Sequence, residues 1–349
     1  MKRSLTILGL LATLIFACNT DPGGFTINVN VTGIKDGTLF YLKNWRDNTI
    51  IDSGYVRNGT FSLKGSLSHP ENLLLHATDT VSKEFIYTNL LIGNENVTIN
   101  ARRADFPWNI DAVGSESQDM AEIFNRVEYQ RQELIKLPGS NVSRISDSLH
   151  QVKVALIKEN FNSYAALTNF KYYKLNFPTA ELAGLYKSLS PELKQSIDGK
   201  AIKTQIENPP PVVGGSYYDY TAVNQNGDTV SLSEIAERYL LLHFSSAACY
   251  PSQQSIPELR MMHDRYKDRL KIVRISVDLS KEDWEESIRK DSITWLNLWD
   301  GKGDYGDAVL KYGIIGTPNY VLISPDKIIV DKWFGYEEGI IKEKIRIHL

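Results

Sequence analysis

From Phe25 the chain alternates without a break: Phe25, Ile27, Val29 and Val31 are apolar, Thr26, Asn28, Asn30 and Thr32 polar. A period of two predicts a half-buried strand. Similar short stretches follow at 38–43, 52–57, 60–64, 73–77, 84–91 and 96–100. Between Arg57 and Thr60 lies Asn58-Gly59, a dipeptide favoured in the type I′ turn because both positions take positive φ, so the flanking strands are expected as a hairpin. Residues 25–105 therefore read as an antiparallel β domain, sandwich-like in outline.

The pattern changes over 112–208 to stretches rich in Glu, Gln, Lys, Leu and Ala with few Gly or Pro, clearest as helices at 117–135 and 142–161. Pro178 and Pro191 punctuate the rest, and Ser190-Pro191-Glu192 has the form of an N-cap followed by proline at the first helical position. This is a helical connector in which Phe170, Tyr172 and Tyr173 are assigned to packing. Pro209-Pro210-Pro211 stiffens the chain and Gly214-Gly215 releases it, marking a domain boundary.

Over 212–349 strands and helices alternate, which implies a βαβ core. Strands at 217–222 and 229–232 flank a turn at 225–228, and 233–237 makes a short helix. The apolar run 239–244, broken only by His243, has the pattern of a strand buried on both faces. It leads through 245–248 to Cys249-Tyr250-Pro251-Ser252 and a helix kinked at Pro257 that runs to about 270. Then come a strand at 271–277, helices at 282–290 and 305–311, Gly316-Thr317-Pro318, strands at 319–323 and 328–333, and a terminal helix.

The start of the chain is a targeting signal. Lys2 and Arg3 precede an apolar run over 5–16, too short to cross a ~30 Å hydrocarbon core that needs about 20 residues. Ile15-Phe16-Ala17-Cys18 resembles the lipobox of bacterial lipoproteins. The resemblance implies cleavage after residue 17, a lipid on Cys18, a polar tether over 18–24, and anchoring in the envelope of a Gram-negative bacterium. The folded part would face the periplasm, and Asn19 favours the outer membrane over the inner.

Composition narrows the classes of function. The 349 residues are 42% hydrophobic, with 39 basic and 42 acidic side chains and a net charge of −3. Losing Lys2 and Arg3 leaves 37 against 42, without the cationic excess that follows a phosphate backbone, so nucleic acid is excluded as a partner. Two cysteines make no disulfide framework. There is no phosphate-binding Gly-Lys-Ser/Thr or His-Glu-x-x-His, and no cofactor or metal is expected. His69 and His76 have no ligand cluster in sequence, His263 and His348 no companion group, and the acidic run Glu282, Asp283, Glu285, Glu286 suits a solvated helix N-terminus.

Two resemblances add to this reading. Gly33-x-x-x-Gly37, Asp52-Ser53, Asn58-Gly59-x-Phe61 and Gly65, over about 25–103, resemble a domain of unknown function that precedes thioredoxin-like domains in envelope lipoproteins. The buried strand, Cys249 at a helix start, Pro251, Pro257 and Thr317-Pro318 resemble the TlpA/ResA-like and AhpC/TSA-like thiol oxidoreductases of the thioredoxin fold, over 212–349. That resemblance implies a cis bond at Pro318 facing Cys249, substrate contacts by Tyr250, Pro251, Thr317 and Pro318, and an insert packed by Trp284, Trp295 and Trp299.

The family's Trp, Gly and second Cys are Ala248, Tyr250 and Ser252 here. With Cys18 lipidated no second thiol remains, so a mixed disulfide on Cys249 needs an external thiol to resolve it. The nucleophile position survives, at a helix N-terminus that favours a thiolate. Ser252 is placed to donate a hydrogen bond to that sulfur. His243, six residues before Cys249 where thioredoxins carry a buried acid, is either a base or imidazolium partner or a neutral core residue. The expected activity is monothiol exchange with client proteins or small thiols. The alternatives are a redox-silent binding module, and a one-cysteine peroxidase using Ser246-x-x-Cys249, against which stands Leu242 where that family places proline. Metal delivery is disfavoured by the single thiol.

Overall fold

A computed structural model describes residues 23–79, 82–235 and 237–349. The first eight strands are β1 (Phe25–Thr32), β2 (Leu39–Asn44), β3 (Ile50–Tyr55), β4 (Thr60–Gly65), β5 (Glu71–Thr78), β6 (Phe85–Ile92), β7 (Asn96–Arg102) and β8 (Asp111–Val113). They form two four-stranded sheets, ordered β4-β1-β7-β8 and β3-β2-β5-β6. Phe25, Ile27, Val29 and Val31 all point into the core between them, as the alternation requires.

Two features depart from the expected all-antiparallel arrangement. β1 and β7 run parallel. Asn58 and Gly59 do take positive φ, 51° and 72°, yet the turn closes a single Arg57–Thr60 bridge, after which β3 pairs with β2 and β4 with β1. Val56 is fully buried at this corner, and its burial between the sheets turns the chain from one layer to the other.

Six helices follow: α1 (Glu116–Ile135), α2 (Val142–Glu159), α3 (Tyr164–Tyr173), α4 (Thr179–Ser188), α5 (Pro191–Gln195) and α6 (Ile197–Glu207). Side chains of Ser115, Asn141, Ser163, Ser190 and Ser196 cap five of them by accepting a backbone N–H of the first turn. Ser190 and Pro191 occupy the N-cap and first helical positions that the sequence suggests. Phe124, Ile157, Phe161, Phe170, Leu182 and Ile202 share a core with Leu91 of β6, and buried Gln118 accepts the Leu91 N–H at 2.8 Å. The helices are thereby fastened to the β domain.

The C-terminal region holds β9 (Thr221–Asn224), β10 (Thr229–Ser231), β11 (Tyr239–Ser245), α7 (Tyr250–Tyr266), β12 (Leu270–Ser276), α8 (Lys281–Lys290), β13 (Leu296–Trp299), α9 (Asp307–Tyr312), β14 (Asn319–Ile323), β15 (Ile329–Phe334) and α10 (Ile340–His348). Its seven-stranded sheet is ordered β10-β9-β13-β12-β11-β14-β15. β11 lies parallel to β12 and antiparallel to β14. Leu240, Leu242 and Phe244 pack on one face, while Leu241 packs on the other with Leu259 and Met262 of α7 and Ile341 and Ile345 of α10. This two-sided burial explains the unbroken apolar run. Glu258 of α7 accepts the N–H groups of Gly339 and Lys342 at 3.0 and 2.7 Å, fixing the start of α10 against α7. α7 continues through Pro257 but ends at Tyr266, short of the expected 270, because β12 begins there. Among the described residues no helix is long and apolar enough to cross a membrane.

Candidate functional site

β11 ends at Ser245, and the loop 246–248 turns the chain so that Cys249 becomes the N-cap of α7, with φ −87° and ψ 106°. That loop is held from beneath. Asp278, just past β12, accepts the Ser246 hydroxyl and the Ala247 N–H through one oxygen, both at 2.8 Å, and the Ser276 hydroxyl at 2.6 Å through the other. Arg274, almost wholly buried, approaches the same carboxylate at 3.8 Å and donates to the Ser245 and Ser287 hydroxyls at 2.6 and 2.8 Å. Burial pulls the guanidinium down from its ordinary range, and the carboxylate of Asp278 opposes that pull. Trp299 donates its indole N–H to the Asp278 carbonyl at 2.7 Å and stacks on Trp284 at 5.3 Å.

Cys249 is partly buried, and its Sγ donates to the Thr317 carbonyl at 3.2 Å. The Thr317–Pro318 peptide is cis, and Pro318 accepts the Gly335 N–H at 2.9 Å. A Cβ at Gly316 would stand 3.2 Å from the edge of the Phe334 ring, a tight contact that the ring would have to yield to. Tyr250 and Phe334 are exposed, at 67% and 61%, and give this end of the domain an apolar rim. The start of α7, with Cys249, Tyr250 and Pro251, thus meets the loop of Thr317 and Pro318 through the contact of the sulfur with the Thr317 carbonyl.

Ser252 and His243 sit differently. Ser252 is buried and its hydroxyl has no hydrogen-bond partner among the described residues, so the expected bond to Cys249 is not made; the thiol reaches the Thr317 carbonyl instead. His243 is fully buried on the α7 side of β11, stacked on Tyr320 at 5.0 Å and 8° between ring planes. Neither ring nitrogen has a hydrogen-bond partner among the described residues. Burial, with Arg274 adding to it, holds its pKa down to about 3, so the ring is neutral at physiological pH. Cys18 lies outside the described residues.

Sequence reasoning missed Asp278 and Arg274. A signal was present: an arginine within the otherwise apolar run 272–275 needs a partner, and Asp278 follows four residues later. Among the described residues no group of three or more His, Cys, Asp or Glu is arranged to hold a metal.

Residues 237–329 match a family described as thioredoxin-like, and residues 25–121 match a domain of unknown function, DUF4369. The C-terminal region is a thioredoxin-like α/β domain, of the fold found in thiol-disulfide oxidoreductases. The thiol-disulfide oxidoreductase YkuV of Bacillus subtilis is 29% identical over 58 residues, 17% of this chain and 39% of that protein's length. The thioredoxin domain of a thiol-disulfide oxidoreductase from Bacteroides vulgatus is 26% identical, over 39% of this chain and 99% of that one, with a TM-score of 0.36. A thiol-disulfide oxidoreductase from Bacteroides fragilis is 28% identical, over 38% and 99% of the two chains, with a TM-score of 0.36.

Proposed function

We propose that this protein performs monothiol disulfide exchange through Cys249 while tethered to the cell envelope by a lipid on Cys18. The observation that carries the reading is the meeting of Cys249 Sγ with the Thr317 carbonyl at the N-terminus of α7, with a serine where a resolving thiol would stand. The sulfur, once deprotonated, attacks one sulfur of a client disulfide. A Cys249–client disulfide forms as the client's other sulfur leaves as a thiolate. An external thiolate then attacks the client sulfur of that bond, returning Cys249 and leaving the client disulfide-bonded to the incoming thiol. Tyr250, Pro251 and the 316–318 loop receive the client's extended segment. His243 has a packing role here, because its neutral ring has no hydrogen-bonded path to the sulfur.

Incubating the purified chain with oxidised glutathione tests this. Intact-mass measurement should find one glutathione adduct on native protein, absent from Cys249→Ser and released only by added thiol. An adduct that forms only after unfolding overturns exchange and leaves the redox-silent binding module. A sulfenic acid formed by hydrogen peroxide far faster than the glutathione adduct would turn the assignment to a one-cysteine peroxidase. The tether is tested separately. A clickable fatty-acid label should enter the natural protein and not Cys18→Ala, and membrane fractionation should recover the protein in the outer membrane.

A further inference from the structure

Where the helices meet the thioredoxin-like domain there is a cavity of about 30 Å³, in which the thiol site has no part. Leu167 and Phe170 of α3, Ile202 of α6 and Ile314 beyond α9 make it largely apolar, and Lys171 and Lys174 bring charge to it. Lys174 is only 7% exposed and, among the described residues, makes neither a hydrogen bond nor an ion pair. Both carboxylates at the cavity are already engaged. Asp304 accepts Lys171 at 3.1 Å, and Asp198 accepts the Tyr305 hydroxyl at 2.7 Å. The ammonium's three donors have no hydrogen-bond acceptor among the described residues, and the attraction of Asp304 offsets only part of the cost of burying it. Burial holds the Lys174 pKa down to about 8 against the attraction of Asp304, with a smaller contribution from the repulsion of Lys171.

We propose that this junction cavity binds a small organic monocarboxylate, its head held by Lys174 beside Lys171 and its short chain lying on Phe170 and Leu167. The space suits the head group, since a single water needs roughly 10–15 Å³ by the same measure. The apolar walls favour an acid with a hydrocarbon tail over sulfate or phosphate. Because α3 and α6 supply one wall and the segment around Tyr305 to Ile314 the other, the bound acid fastens the two domains together. The site is independent of the thiol chemistry at Cys249.

The test is thermal unfolding of the full chain against rising butyrate, with sodium chloride at matched ionic strength, butyramide and phosphate as controls. A ligand that binds only the folded state raises the melting temperature in a saturable way. The expected result is a saturable rise with butyrate alone, whose midpoint concentration increases at least about tenfold in Lys174→Met, a loss of about 1.4 kcal/mol in binding. The exposed control Lys203→Met should keep the natural response. If Lys174→Met folds poorly, Lys174→Gln reads the same loss. A response to butyrate no larger than to chloride, one unchanged by both Lys174 variants, or one matched by butyramide or phosphate overturns the proposal.

Discussion

The sulfur of Cys249 and the carbonyl oxygen of Thr317 lie 3.2 Å apart although 68 residues separate them in the chain. The contact joins the N-terminus of α7 to the loop entering β14, so any segment laid along that loop meets the sulfur. A hydroxyl fills the same role as donor. Cys249→Ser should therefore unfold within about 1 kcal/mol of the natural protein in urea while losing all glutathione capture. A much larger destabilisation would mean that the sulfur serves the fold rather than exchange.

Ser252, one turn along α7, is buried with an unpartnered hydroxyl, so replacing it sacrifices no hydrogen bond. Ser252→Cys puts a second thiol within the same helical turn as the first. A glutathione adduct on Cys249 should then decay into an internal disulfide, whereas in the natural protein it persists. A time course by intact mass distinguishes the two, and an equally lasting adduct in the variant would show that the helix start cannot bring the two sulfurs together.

Asp278 is the keystone of the loop before Cys249, accepting from Ser246, Ala247 and Ser276 and facing buried Arg274. Asp278→Asn keeps the shape but removes the charge that balances the guanidinium. Breaking one side of a buried pair costs about 3–5 kcal/mol. Because the 3.8 Å separation is long, we expect the lower end, about 3 kcal/mol, in a urea titration. Adding Arg274→Met should recover more than half of it, since no unpaired charge then remains. A single variant indistinguishable from the natural protein would mean that Arg274 is satisfied by Ser245 and Ser287 alone.

Much of this arrangement is legible in the residues. β1 and β11 announce themselves because their burial is regular, one face for β1 and two for β11. Cys249 and Pro318 stand out by resemblance, and the structure brings them to the same loop pair. The parting of β3 from β4 is not legible, because Asn58-Gly59 specifies a turn but not which sheet each strand then joins. β8 and β13, three and four residues long, are too short to establish a period. Asp278 looks like an ordinary loop residue until the 246–247 segment folds over it, and Lys174 looks like an ordinary surface lysine until the cavity it lines with Ile202 and Tyr305 forms. Both are products of tertiary approach, which local pattern does not encode.

The buried ring of His243 makes a prediction whose sign follows from linkage. An unfolded histidine titrates near 6.5, whereas burial and Arg274 hold the folded one at about 3. Between those values the unfolded chain binds a proton that the folded chain does not, so the unfolded state gains as the pH falls. Stability is unaffected by this ring above about pH 6.5 and declines below it, by about 2 kcal/mol between pH 8 and pH 5 at roughly 1.4 kcal/mol per unit. His76, also held down by burial, contributes in the same direction, so the comparison must be with a variant that keeps it. His243→Leu removes both unpartnered nitrogens and should flatten the acid limb by that amount in urea titrations at pH 8, 6 and 5, leaving the rate of Cys249 alkylation unchanged across the same range. Parallel stability curves would show that the ring takes up its proton inside the fold. Slower alkylation in the variant would return His243 to the thiol as its partner.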